Sequence, residues 1–277
     1  MSFIIFFLAF IFLYVFAIAP RFFFATKKKF FKAENLFAHR GLYDNETSAP
    51  ENSMAAFKNA IEHGFGIETD LRLTRDGVVV LHHDETLERS CGVQKKVSDC
   101  SFSELQNYSL FKSTEKIPRL SDLLSLAQNK VPLIIEYKVE ASESCAPLCE
   151  IASRILSESK KNFDTRYCIE SFNSHVLRWY KKNFPLVIRG QLSERFSKTG
   201  VRLNPLIRFL LENLLVNFLT RPDFVAWNFS FRNYIPFRVA CFLGATPVAW
   251  TIQNADELSR AKKIYKVFIF EKFIPAR

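Results

Sequence analysis

Nine short apolar runs, most of them separated by amphipathic stretches, constrain this chain more than any other feature. The runs cover 36–38, 65–71, 78–82, 132–137, 166–171, 186–192, 223–227, 246–251 and 266–270. Helical patterns fill most of the gaps, at 53–63, 120–128, 146–159, 174–183 and 256–264. Strand and helix in alternation imply a parallel sheet, because each parallel crossover needs a helix-sized connection. About eight such units in one chain of this length imply a (β/α)₈ barrel. One gap breaks the pattern. Thr74-Arg75-Asp76-Gly77 is too short for a crossover, and Asp-Gly between apolar runs favours a tight hairpin. The barrel is therefore expected to be distorted, with a small polar insertion at about 85–116.

The N-terminus carries a different pattern. Residues 1–20 contain no charged side chain and are mostly Phe, Ile, Leu and Ala. A helix of that length spans about 30 Å, the thickness of a bilayer core. Arg21, Lys27, Lys28, Lys29 and Lys32 follow it, and they supply half of the net charge of +10. Basic residues on the C-terminal flank predict that this flank stays inside. The expected organisation is a transmembrane anchor at 1–25, a basic linker at 26–35 and the barrel at 36–277. The expected location is the cell (inner) membrane, single-pass, with a cytoplasmic catalytic domain and the lipid bilayer as a partner. A cleaved signal peptide is the competing reading, since Ala17-Ile18-Ala19 imitates a cleavage site. No aromatic-interleaved basic stripe suggests nucleic acid. The six cysteines show no paired metal spacing and read as reduced thiols.

Charged and titratable residues sit in or beside the apolar runs, where charge is costly unless it is paired or bound to a metal. Glu68 and Asp70 are two apart and share a strand face, as do Glu136 and Lys138. Active sites of such barrels lie at the C-terminal ends of the strands, where these residues fall. Carboxylates supply hard oxygen ligands for Mg²⁺ or Ca²⁺. Histidines supply proton transfer near neutral pH. Arginine and lysine hold phosphate. Together these residue types describe metal-assisted chemistry on a phosphate ester.

The order of the blocks resembles the glycerophosphodiester phosphodiesterase family. The resemblance rests on His39-Arg40-Gly41, Pro50-Glu51-Asn52-Ser53, Gly66-Ile67-Glu68-Thr69-Asp70 and Thr74-Arg75-Asp76-Gly77. It continues through His83-Asp84-Glu85-Thr86-Leu87-Glu88-Arg89, Ile117-Pro118-Arg119-Leu120, Ile135-Glu136-Tyr137-Lys138, Ser171-Phe172 and Trp250-Thr251. It implies a TIM-type barrel, with His39 and His83 as catalytic acid and base. It implies a divalent cation, Mg²⁺ or Ca²⁺, held by Glu68, Asp70 and Glu136, with Glu51 near that site as a candidate fourth metal residue. Arg40, Lys138 and Trp250 match substrate-side positions. His82 falls on the opposite strand face from His83 and is expected to be structural. Glu170 stands where the family frequently has glutamine, which bears on the pocket's charge.

The implied reaction is hydrolysis of a glycerophosphodiester to glycerol 3-phosphate and an alcohol, by direct attack of water or through a cyclic phosphate. A phospholipase D-like reaction on lysophospholipids or other lipid phosphodiesters is the alternative. The apolar stretch 202–220, expected to form a helix buried in protein or in contact with lipid, favours that alternative. A catalytically inert membrane-bound binding module is a third reading. It would require loss of a catalytic group, and all of them are present.

Overall fold

The computed structural model describes residues 2–21, 30–31, 35–163 and 166–276. Nine strands form: β1 Leu36–Ala38, β2 Gly66–Leu73, β3 Val79–Leu81, β4 Leu133–Tyr137, β5 Tyr167–Ser171, β6 Arg189–Ser193, β7 Phe224–Asn228, β8 Thr246–Ile252 and β9 Val267–Phe270. Eight of them run parallel and close into a barrel, with β1 paired to both β2 and β9. β3 is the exception, an antiparallel partner of β2 only. The hairpin turn lies at Thr74–Gly77, as its Asp-Gly predicts. The Thr74 amide donates to the Val78 carbonyl at 3.0 Å, and Gly77 adopts φ +77°. A left-handed backbone at that position favours glycine.

Alternation along the strands sorts side chains into two cores. Leu36, Ala38, Leu133, Ile135, Val225 and Ala249 point outward and pack beneath the helices. Phe37, Ile134, Cys168, Phe224, Val248, Val267 and Ile269 point inward and fill the barrel. Large rings fit inside because glycines face them. A Cβ on Gly190 would lie 2.0 Å from the Phe224 ring, and one on Gly66 would lie 2.5 Å from the Phe37 ring. The insertion has a satellite core of its own, built from Val80, Leu87, Val97, Cys100, Leu105, Leu110 and Ile117.

The N-terminal reading is corrected. The helix Ser2–Ile18 has 17 residues. At about 1.5 Å per residue it falls short of a bilayer core of about 30 Å. Among the described residues, no helix is long and apolar enough to cross a membrane. The last turn of this helix is committed to the barrel instead. Asn217 Nδ2 donates to the Ile18 carbonyl at 2.9 Å, and Arg221 Nη1 donates to Phe16 and Ala19 carbonyls at 2.8 and 3.0 Å. Arg21 Nε then donates to the buried Asp223 at 2.8 Å. A single-pass inner-membrane location with a cytoplasmic catalytic domain is thus overturned. The bilayer expected as a partner rests on the same span and is withdrawn with it. Of the basic linker, Lys27, Lys28, Lys29 and Lys32 lie outside the described residues.

The stretch expected as one apolar helix over 202–220 is two helices, Pro205–Glu212 and Asn217–Thr220. Leu214 breaks it with φ +55°. Leu206, Ile207 and Phe209 are exposed, while Glu212 is buried and accepts from the Ser197 amide.

Packing of Phe224 against Gly190 predicts a measurable cost. Gly190→Ala is expected to destabilise the barrel by about 1–3 kcal/mol through overpacking. Chemical denaturation of the two proteins measures it, and equal stability would mean that the ring has room to move.

Candidate active site

The same inward alternation that packs the barrel places polar groups above the apolar plug. Two residues beyond inward Ile134 comes Glu136, and two beyond Phe37 comes His39. Glu68 and Asp70 on β2 face the same interior, and Asp70 stands opposite Glu136 in register. Ligand atoms of Glu68, Asp70 and Glu136 lie within 4.8 Å of one another, and all three side chains are buried. Such a set of hard oxygen donors fits a divalent cation of the Mg²⁺ or Ca²⁺ type.

Two cations thread this cluster. Lys138 Nζ lies 2.7 Å from Glu136 Oε2 and 3.2 Å from Asp70 Oδ1. Arg40 donates from Nη1 to Glu51 Oε1 at 2.8 Å, and its Nε lies 3.4 Å from Asp70 Oδ2. Electrostatics separates the carboxylates. Burial pushes Asp70 up, but Lys138, His83 and Arg40 outweigh it and hold Asp70 well below the usual range. Burial and the neighbouring Asp70, Glu170 and Glu136 push Glu68 well above it. Burial raises Glu136 to about 7 despite Lys138.

The Pro50–Ser53 block gives each residue a separate task. Glu51 takes a two-pronged contact from Arg89, at 2.7 and 2.9 Å, besides that of Arg40. Guanidinium groups thus clamp it, and Arg40 links it to Asp70. Asn52, at φ +55°, donates to Asp70 Oδ2 at 2.9 Å and accepts from Thr69 at 2.8 Å. Ser53 caps the helix Met54–Glu62 by accepting from the Ala56 amide at 3.1 Å. Gly41 allows that helix to approach, since a Cβ there would come 2.8 Å from Ala56 backbone carbon.

Each histidine nominated from sequence has a carboxylate behind it. His39 Nδ1 is 2.7 Å from Glu271 Oε2, and His83 Nδ1 is 2.6 Å from Asp84 Oδ1. With Nδ1 donating to a carboxylate, Nε2 of a neutral ring carries the lone pair. Burial lowers His39, and nearby Arg40 lowers it further. Burial likewise lowers His83 to about 4. Arg72 Nε donates to the His83 carbonyl at 3.0 Å and fixes that segment. His82 is different. It is buried with both ring nitrogens engaged, at 2.9 Å to the Asp84 carbonyl and 2.7 Å to Ser90 Oγ.

Two participants escape sequence reasoning. Glu271 accepts from Tyr43 at 3.0 Å and Gln253 at 2.8 Å, besides holding His39. Burial works against its charge, but those hydrogen bonds win and keep it at about 2. Its one sequence signal is its position directly after the last apolar run. Arg89 ties Glu51 to Asp84, with Nε 2.6 Å from Asp84 Oδ2, and so couples the two halves of the site. Trp250 stands edge-on to Phe172, centroids 5.6 Å apart, at the top of the inner core. Its buried indole N–H has no acceptor among the described residues.

Comparison with known proteins places the chain in a family. The glycerophosphoryl diester phosphodiesterase family matches residues 39–270. A glycerophosphodiester phosphodiesterase of Caldanaerobacter subterraneus is 34% identical over 165 residues, 57% of this chain and 65% of the relative. A human lysophospholipase D is 30% identical over 200 residues, 66% of this chain and 60% of the relative. The matched stretches thus span less than two thirds of those relatives' own lengths. The crystal structure of an Oleispira antarctica phosphodiesterase in complex with sn-glycerol 3-phosphate superposes with a TM-score of 0.65 at 22% identity, covering 86% of this chain and 92% of that one. The chain belongs to the glycerophosphoryl diester phosphodiesterase family.

Proposed function

We propose that the barrel hydrolyses a glycerophosphodiester to glycerol 3-phosphate and an alcohol, with a divalent cation, Mg²⁺ or Ca²⁺, bound at Glu68, Asp70 and Glu136. The observation that carries this reading is a buried carboxylate triad flanked by two histidines, each oriented by a carboxylate at Nδ1. The cation, when bound, polarises a phosphate oxygen and offsets the phosphate's charge.

The chain's own residues do the rest. Lys138 and Arg40 reach the oxygens of Asp70 and Glu136 that would hold the cation, and their N–H groups would be placed to grip the phosphate beside it. Tyr43 and Gln253 keep Glu271 charged behind His39, and Arg89 does the same for Asp84 behind His83. One imidazole accepts the proton of the attacking oxygen at Nε2, and the other, whose imidazolium form the carboxylate at Nδ1 and the negative charge of a bound phosphodiester favour, delivers one to the leaving alkoxide. Protons balance over the cycle whether water or a substrate hydroxyl attacks. Trp250 closes the pocket wall, with its indole N–H free to donate to the substrate.

Lysophospholipid hydrolysis is the second reading. It is supported by the human relative's name and by Leu206, Ile207 and Phe209, which stand exposed on the segment that follows β6. Glycerol 3-phosphate release from glycerophosphocholine is the test of the first reading, and choline release from lysophosphatidylcholine is the test of the second. Faster turnover of glycerophosphocholine supports the first, the reverse order supports the second, and no release from either rejects both.

Acid–base catalysis contributes about 10²–10⁴ in rate. His39→Ala and His83→Ala are each expected to lower kcat by at least about 10² while the fold survives. His82→Ala is expected to cost about 1–3 kcal/mol of stability by stranding buried partners, with a much smaller change in kcat. An inactive His82→Ala beside an active His83→Ala would reverse the assignment.

Cation binding is linked to pH through Glu136. A buried carboxyl raised to about 7 favours the protonated fold. Its contribution to stability is present below the unfolded value and is lost as pH rises through about 7. A cation replaces that proton. Added Ca²⁺ or Mg²⁺ is therefore expected to raise Tm more at pH 7.5 than at pH 5, read by calorimetry on EDTA-treated protein. Equal gains at both pH values would remove Glu136 from the site.

A further inference from the structure

We propose that Glu170 is a fourth carboxylate of the cation site, acting with Glu68, Asp70 and Glu136 to set its affinity for a divalent ion. This rests on the cation reading above. Strand register is the first observation. Asp70 on β2 stands opposite Glu136 on β4, and Glu136 stands opposite Glu170 on β5. Three acids thus form one row across three adjacent parallel strands. Neighbouring strands lie about 4.8 Å apart, so residues in one row are near neighbours.

Orientation is the second. Cys168 belongs to the core inside the barrel, and Glu170, two residues on, shares its face. The side chain is therefore directed at the polar layer above the plug, not at the helices. Its electrostatic partners agree, being Glu136, Lys138 and Asp70.

Unfilled bonding capacity is the third. Glu170 is 1% exposed, and its Oε2 has no hydrogen-bond partner among the described residues. No ion pair reaches it among those residues either, whereas Glu51 is held by Arg89 and Arg40. A buried carboxylate oxygen without a partner is costly. Four carboxylates, Glu68, Asp70, Glu136 and Glu170, face two cations, Arg40 and Lys138. Arg40 is shared with Glu51 as well, so acids outnumber side-chain cations in this layer, an imbalance that a divalent ion reduces. Supporting groups around a metal tune its affinity as well as the direct ligands do.

The test is calorimetric titration of EDTA-stripped protein with Ca²⁺, comparing wild type, Glu170→Gln and Glu170→Ala. Both neutral variants are expected to raise the Kd for Ca²⁺ by about tenfold or more. Their Tm in EDTA is expected to hold or rise, because a buried like-charge repulsion is gone, while the Ca²⁺-dependent gain in Tm shrinks. If one variant fails to fold, the other is read in the same way. Wild-type affinity in a folded variant would overturn the role of Glu170. A wild-type protein that binds no divalent cation would instead reject the cation reading itself.

Discussion

Carboxylates held close together inside a closed barrel are the constraint on which the rest of this site depends. Glu68, Asp70 and Glu136 are buried, and their oxygens converge within 4.8 Å. Such a cluster is tolerable only if protons, side-chain cations or a metal ion offset it. The protein uses the first two where no ion is bound. Glu68 and Glu136 are shifted upward, and Asp70 is kept charged by Lys138 and Arg40. The groups that balance the cluster are also those suited to hold a phosphate. Balancing the fold and preparing the site are therefore one electrostatic arrangement.

That arrangement depends on the pleat. Inward Phe37, Ile134, Val248 and Ile269 exclude water from the barrel, and the next inward residues on their strands or just beyond are His39, Glu136, Trp250 and Glu271. The apolar plug strengthens every charge interaction above it. Charge is then passed outward in steps, from Asp70 to Arg40, to Glu51, to Arg89, to Asp84 and to His83. The insertion carries Arg89 and Ser90, and through them it orients His83, by way of Asp84, and His82.

Much of this was legible in the sequence, because period-2 and period-3.6 patterns are local signals. All nine runs became strands, and the four-residue gap at Thr74–Gly77 became the hairpin. The pairs Glu68–Asp70 and Glu136–Lys138 are legible for the same reason, since i, i+2 spacing fixes a shared face, whereas joining Glu68, Asp70 and Glu136 into one set comes from the family resemblance. Contacts set by closure of the barrel were not legible. Glu271 meets His39 across 232 positions, and only the β1–β9 pairing brings them together. The apolar stretch 202–220 misled in the opposite way. Its composition implies one helix, buried in protein or in contact with lipid, but tertiary contacts prevail, with Glu212 turned inward and Asn217 and Arg221 recruited to cap the N-terminal helix. The length of that N-terminal helix was misjudged because hydropathy does not report where a last turn docks.

The most direct measurement is anomalous diffraction from crystals grown with Mn²⁺, a divalent ion that accepts the same oxygen donors and scatters anomalously. The account predicts one strong peak bounded by Glu68, Asp70 and Glu136, at about 2.0–2.6 Å from their carboxylate oxygens. Lys138 would then be displaced from at least one of its two carboxylates. An anomalous map with no peak there, and with Lys138 still bridging Asp70 and Glu136, would contradict it.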